Sequence, residues 1–282
     1  MKKIGFIDHF LDEWHANQFP AWIRGSDERR GLEIALAWAE MDKEGGLTTD
    51  QWCEKHRVAR AGSLEEIVDK SDCLVILSPD HPERHEELSE PALKSGKPVY
   101  IDKTFAPDVA AARRMFALAE DHGTPMFSCS ALRFAAELDQ IEKSLAPGEA
   151  RFVNTGGGGR VSTYLVHQAE MAVRLLGTGA HRVMVVGEGE TAAVTVQYPD
   201  GRQAVMQIMP NLPFRVSAAG ADGAAAHHLS VDHSFFQHFI DAVLRFFHDR
   251  QPPVSAEDTL QIMVLIEAAR QAAEKPGTWV NL

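Results

Sequence analysis

Carboxylates and histidines crowd one short stretch near the start of this 282-residue chain, where His9, Asp12, Glu13 and His15 fall within seven positions. On a helix Asp12 and His15 would share a face, a spacing that suits a divalent ion and would support a metal-dependent hydrolase or lyase. Such groupings arise easily among 13 histidines, so no metal ligand is assigned. Asp8, Asp12 and Glu13 also bring negative charge to a helix start, a place that otherwise attracts anions. Lys103 follows the apolar run Tyr100-Ile101, at the strand end where open α/β sheets bind ligands, and would hold and polarise a substrate hydroxyl there. A lysine that merely caps a strand is the plain alternative. His167 lies in a helical stretch, and imidazole needs little tuning to act as a general base near neutrality. The alternative is a packed helix histidine. Glu170, three residues on, can accept from that ring or from a substrate hydroxyl.

Elements of alternating type must position these residues. Lys3 to Ile7 and Leu32 to Ala39 read as buried strands around a helical segment near Ala21. Ser63 offers an N-cap to Leu64–Val68 with Glu66 at the capping-box position, and Cys73 to Leu77 is the next strand. Pro82 to Ser95 reads as a helix stopped at Gly96, followed by a strand at Lys97 to Ile101, a helix at Val109 to Ala119 and a strand at Pro125 to Cys129. This series predicts a doubly wound parallel sheet over residues 1–129.

From residue 130 to 282 the pattern changes. Helices are expected at Phe134 to Leu145 and Tyr164 to Leu176, then strands at Arg182 to Val186, Ala192 to Tyr198 and Gln203 to Met209 with a hairpin turn at Pro199-Asp200-Gly201. Two amphipathic helices, Phe235 to Phe247 and Thr259 to Ala273, close the chain. The second domain is therefore expected as α+β, with a mostly antiparallel open sheet. Gly156 to Gly159 lacks the Lys-Ser or Lys-Thr of a phosphate loop and instead suits a close approach of backbone to a substrate pocket. His227, His228 and His233 read as loop and helix-entry residues, and Met206 and Met209 as sheet fillers.

Composition narrows the partners. A net charge of −12 repels phosphate backbones and anionic membranes, which excludes nucleic acid and membrane surfaces as expected partners. The apolar run after Met1 breaks at Asp8, too soon for a signal core or a membrane span, so a cytoplasmic protein is expected. Cys53, Cys73 and Cys129 lack paired spacing and read as reduced structural thiols.

Several stretches together resemble one family, the glucose-fructose oxidoreductase and inositol dehydrogenase (Gfo/Idh/MocA) family. Ser78-Pro79-Asp80 with His85 resembles its Thr-Pro-Asn turn and following histidine. Ala92 to Val99 running into Asp102-Lys103-Thr104 resembles its "ALxxGKxV…EKP" segment, and Val166 to Glu170 followed by Leu175-Leu176-Gly177 resembles its "HxxD…LLG" helix. The resemblance implies a Rossmann domain followed by an α/β domain whose open sheet mediates homo-oligomers, and hydride exchange between a nicotinamide cofactor and a hydroxyl of a sugar, cyclitol or similar small molecule.

By that resemblance Lys103 and His167 are catalytic. Thr163 stands where the family has an Asp one helical turn before the histidine, and Glu170 where it has a second Asp. Asp8, His9, Phe10, Ser78, Pro79, Asp80, His85 and Asp102 would border the dinucleotide, NAD or NADP, with Glu40 or Asp42 near the ribose. The family's Gly-x-Gly-x-x-Gly turn, however, reads Asp8, Phe10 and Glu13 here. A carboxylate about 4 Å from a phosphate charge costs on the order of 4 kcal/mol at an effective dielectric near 20, about three decades of affinity. Two expectations therefore stand side by side. One is an oxidoreductase with weak or atypical nicotinamide binding; the other is a descendant with no dinucleotide that does non-redox sugar chemistry or serves as a ligand-binding or assembly protein.

Overall fold

A computed structural model describes all residues except 146–147, 222 and 224–226. The chain divides into two compact units, Met1–Cys129 with Phe239–Ala256, and Ser130–His238 with Glu257–Leu282.

The first unit alternates β1 (Lys2–Asp8), α1 (Trp14–Gly25), β2 (Leu32–Ala39), α2 (Thr49–His56), β3 (Ala59–Arg60), α3 (Leu64–Lys70), β4 (Cys73–Ile76), α4 (His85–Leu93), β5 (Val99–Ile101), α5 (Val109–Asp121) and β6 (Met126–Ser128). Its strands form a parallel sheet in the order β3-β2-β1-β4-β5-β6. The order reverses between β1 and β4, which opens a crevice at their carboxyl ends. Ile4 to Ile7, and all of β4 and β5, are buried on both faces of the sheet, which is why these runs are apolar without alternation. Gly5 is needed in β1 because a Cβ there would collide with Ser71 Oγ and the Ile67 side chain. Helices α3 and α5 start on side-chain caps: Ser63 Oγ accepts from the Glu66 amide at 3.1 Å, and Asp108 from the Ala111 amide at 2.7 Å.

The second unit contains α6 (Ala136–Ser144), β7 (Phe152–Gly157), α7 (Val161–Leu176), β8 (Arg182–Glu188), β9 (Thr191–Gln197), β10 (Gln203–Ile208), β11 (Arg215–Ala219), β12 (His227–Ser230), part of α8 (Phe235–Asp249), α9 (Ala256–Ala273) and β13 (Trp279–Asn281). Its sheet runs β12-β11-β7-β10-β9-β8-β13 and is antiparallel except for the parallel pair β7 and β10. Inward positions of β8, β9 and β10, among them Val183, Val194 and Met206, join α7 and α9 in one apolar core. The remainder of α8 belongs to the first unit, where Phe239 packs on Tyr100 and Phe19 at 5.2 and 5.8 Å and Phe246 on Phe127 at 5.0 Å.

The fold class read from the sequence is borne out, with local corrections. Strands β11, β12 and β13 were not expected. His227 and His228 pair within β12 and are not loop residues. Gly156 and Gly157 are ladder residues of β7, so the glycine run is half strand. Met206 is buried as a sheet filler, whereas Met209 lies past the end of β10 and is exposed.

Candidate functional site

In the first unit the singled-out residues gather at the carboxyl ends of β1, β4 and β5. Asp8 ends β1 and is buried; its Oδ1 accepts from Ser78 Oγ at 2.9 Å, and the same hydroxyl accepts the His9 amide at 2.8 Å. These bonds hold Ser78 at φ 71°, a left-handed conformation unusual for serine. Asp8 Oδ2 is buried with no partner among the described residues. Burial, and then the nearby Glu13 charge, push the Asp8 carboxyl well above the usual carboxylate range.

Glu13 is the N-cap of α1. Its Oε2 accepts the His15 amide at 2.7 Å and its Oε1 the Ala16 amide, so the chain's own carboxylate sits on the positive end of the helix. Burial raises its pKa to about 7 against the opposing effect of His15. Asp102, directly after β5, is 1% exposed and is surrounded by donors. Its Oδ1 accepts from Tyr100 Oη at 2.9 Å and the Lys103 amide at 2.8 Å, and its Oδ2 pairs with His15 Nδ1. Burial pushes its pKa upward, but His15 and Lys103 outweigh that and leave it at about 2.

Lys103 is nearly buried. Its Nζ donates to the Pro79 carbonyl at 3.0 Å and stands 3.9 Å from Asp80 Oδ1 on the exposed Asp80 side chain. His85 has no exposed surface, and its Nδ1 and Nε2 face the carbonyls of Phe105 and Leu77 at 3.0 and 2.6 Å, so it ties α4 to the sheet and presents no nitrogen to a ligand. Burial holds its pKa below the ordinary value. Phe10 packs its ring 5.4 Å from that of His81, with Lys43 Nζ 5.4 Å from its centroid. Glu40 is held by His9 and Arg84, and Asp42 by the amide and hydroxyl of Thr49.

The residues of the weak metal-ligand pattern at His9 to His15 go to separate partners. His9 goes to Glu40, Asp12 to Asn17 and the Leu47 amide, Glu13 to the start of α1 and His15 to Asp102. Asp12 lies ahead of α1, so the shared helical face does not form, and among the described residues no group of three or more His, Cys, Asp or Glu is placed to hold a metal.

In the second unit His167 and Glu170 meet through Ser130. Ser130 Oγ lies 2.6 Å from His167 Nδ1, while the Ser130 amide donates to Glu170 Oε1 at 2.9 Å. Glu170 Oε2 is 3.2 Å from Arg133 Nη1, and Arg133 Nη2 reaches Asp258. Burial lifts Glu170 to a pKa of about 7 although Arg133 and the Ser130 amide pull it down. Ser130, Arg133 and Asp258 were missed in the sequence, because nothing in the local pattern separates them from ordinary capping and surface residues. Thr163 sits exposed in the first turn of α7 and is not part of this network.

The His167 ring lies 5.0 Å from that of Tyr164 and 6.5 Å from that of Phe214. Both aromatics line an open cleft of about 560 Å³ that also presents Arg160, Glu190, Asn211 and His233. The glycine run forms one wall. A Cβ on Gly157 would run into Gln168 and Phe214, and one on Gly159, at φ 112°, into the Tyr164 ring. The close approach expected of these glycines is therefore between chain segments that shape the cleft.

Taken as a dinucleotide cradle, the turn after β1 does not fit. A pyrophosphate binds at such a helix start through the first amides, and here Glu13 already accepts two of them.

Residues 19–129 match the model of the GFO_IDH_MocA family, described as an oxidoreductase family with an NAD-binding Rossmann fold. The match begins beyond the altered turn. An uncharacterized oxidoreductase of Escherichia coli (strain K12), YhhX, is 29% identical over 86 residues, which are 30% of this chain and 25% of that relative. Over 100% of this chain and 98% of theirs, the fold is similar to that of apo scyllo-inositol dehydrogenase from Lactobacillus casei, with a TM-score of 0.81 at 16% identity. It is also similar to GenD2 from gentamicin A biosynthesis in complex with NAD, with a TM-score of 0.80 at 15% identity over 100% of this chain and 97% of that one. The resemblance to the Gfo/Idh/MocA oxidoreductases thus holds, in a divergent form without the glycine turn. Among the described residues no helix is long and apolar enough to cross a membrane.

Proposed function

We propose that this chain is a Gfo/Idh/MocA-type oxidoreductase acting on a hydroxyl of a sugar-like or polyol small molecule, with weak or atypical binding of NAD or NADP. The observation that carries the reading is the imidazole of His167, held by Ser130 and packed on Tyr164, an aromatic that lines an open cleft of about 560 Å³. His167 takes the hydroxyl proton, Ser130 holds the ring, and Glu170 with Arg133 anchors Ser130 through its amide. Lys103 is the family-matched residue for polarising a hydroxyl. The protein works as a cytoplasmic homo-oligomer joined through the sheet of residues 182–209.

The test is thermal unfolding with cyclitols and aldoses, each with and without millimolar NADH or NADPH. A ligand bound only by the folded chain at about 100 times its Kd adds roughly 2.7 kcal/mol. A polyol is expected to raise the melting temperature while either dinucleotide alone moves it little. A low-micromolar Kd for a dinucleotide would overturn the weak-binding part of this reading.

One observation favours a second reading. Glu13 on the start of α1 suits a descendant that has given up the dinucleotide and performs non-redox sugar chemistry or serves as a ligand-binding or assembly protein. Failure of every polyol to reduce NAD or NADP at saturating cofactor would favour it.

A further inference from the structure

The open cleft of the second unit has a charged wall that the roles above leave unused. Arg160 is the N-cap of α7, and Glu190 lies in the turn between β8 and β9. Both line the cleft, and Arg160 Nε meets Glu190 Oε1 at 2.8 Å. Among the described residues the Arg160 side chain pairs with Glu190 alone. Both side chains are exposed, and an exposed pair of this kind is weak and exchanges readily for another partner. Contact at Nε uses the side edge of the guanidinium and leaves its two Nη groups as a second edge shaped for a carboxylate. No acidic residue stands in the first turn of α7, so the positive end of the helix adds to Arg160 at the same place.

Arg160, Tyr164 and His167 are four and three residues apart, which puts them on one face of α7 with His167 about two turns from its head. The exposed Tyr164 ring is seated on Gly159, where a Cβ would strike it, and lies 5.0 Å from the His167 ring. Asn211 and His233 bring further hydrogen-bonding groups to the lining.

We propose that this cleft takes a monosaccharide acid of the uronate type and that Arg160 is the residue that selects it. The proposal rests on the sugar-like substrate read above and narrows it. The ligand carboxylate takes the Nη edge of Arg160, the sugar ring packs its apolar face on Tyr164, and its hydroxyls lie along α7 toward His167. A carboxylate is favoured over a phosphate because one guanidinium edge matches its two oxygens. A phosphate dianion would face Glu190 with no second arginine or lysine in the lining. The cleft volume of about 560 Å³ is that of a small-molecule site and admits one such ring.

The test is titration calorimetry at fixed ionic strength with no dinucleotide present, so its outcome is independent of hydride transfer. The probes are D-glucuronate and D-galacturonate, the neutral D-glucose and D-galactose, and D-glucose 6-phosphate. The acids are expected to bind at least tenfold more tightly than the neutral sugars and more tightly than the phosphate. Arg160→Gln should remove the preference for acid over neutral sugar, and Glu190→Gln, which takes away the competing carboxylate, should raise it at least threefold. Tyr164→Ala should weaken acids and neutral sugars alike, while Arg151→Gln, outside the cleft, leaves the preference unchanged. Equal binding of acids and neutral sugars, tighter binding of the phosphate, or a preference that survives Arg160→Gln would overturn the proposal and leave the sugar-hydroxyl reading standing. Binding of none of the five probes at 10 mM would overturn both.

Discussion

Glu13 Oε2 accepts the backbone amide of His15 at 2.7 Å, so the first turn of α1 is closed by a carboxylate of its own chain. Replacing Glu13 by Ala removes the cap. The expected cost is about 1 kcal/mol in urea unfolding, in line with other lost N-caps. The same change uncovers two amides at a positive helix end, so inorganic pyrophosphate should bind at least tenfold more tightly than to the wild type. Calorimetry on both proteins checks this, and equal affinities would show that Glu13 is not what closes the turn.

Stability should peak on the acid side of neutrality. Glu13 and Glu170 have folded pKa values raised to about 7, so between their unfolded values near 4.5 and pH 7 the folded state binds more protons than the unfolded one. Stability then falls as pH rises through that window, by on the order of a few kcal/mol for each fully buried group. Asp102 acts in the opposite sense. Its folded pKa of about 2 gives stability above pH 4 that is lost as pH falls toward 2. Melting temperatures from pH 3 to 9 should therefore be highest near pH 4 to 5, and Glu170→Gln should flatten the decline toward pH 8.

The parallel sheet was legible because β1, β4 and β5 are buried on both faces and so appear as unbroken apolar runs. β11, β12 and β13 were not, since five, four and three residues of mixed polarity carry too little pattern to separate from loop. The parallel pairing of β7 with β10 depends on contacts some fifty residues apart and has no local signal. At the site, residue types identified His167 and Glu170, but Ser130 joins them from a short capping turn that looks like any other. The sequence neighbours of His15 offer only a weak metal-ligand pattern, whereas its actual partner Asp102 lies 87 positions away.

Lys103→Ala and His167→Ala are each expected to abolish turnover on the polyol identified by melting shifts, by at least 100-fold in kcat, without unfolding the chain. The His167 ring bonds to Ser130 and is only partly buried, beside aromatics that line an open cleft, so its removal strips little core. Lys103 loses one bond to a carbonyl. Circular dichroism with steady-state kinetics checks both, and full activity in either variant would place the chemistry elsewhere.

The last expectation concerns self-association. Along β8, β9 and β10 every second side chain points into the core, as Val183, Val185, Val194, Val196, Ala204 and Met206 do. The intervening positions form the other face, where Met184, Thr195 and Val205 lie in one cross-strand row and Val186, Ala193 and Gln207 in the next. Val186 is 50% exposed, and the row residues beside it carry no formal charge. These two middle rows, between Arg182 at one end of β8 and Glu188 at the other, hold no lysine or glutamate of the kind that keeps a solvated face from pairing, and they suit burial against a second copy. Light scattering at micromolar concentration should give a mass at least twice 31.1 kDa. Val186→Glu with Val205→Lys should shift the protein toward the monomer while leaving the inward face and its melting temperature nearly unchanged. A wild-type mass of one chain would remove the sheet face as an interface.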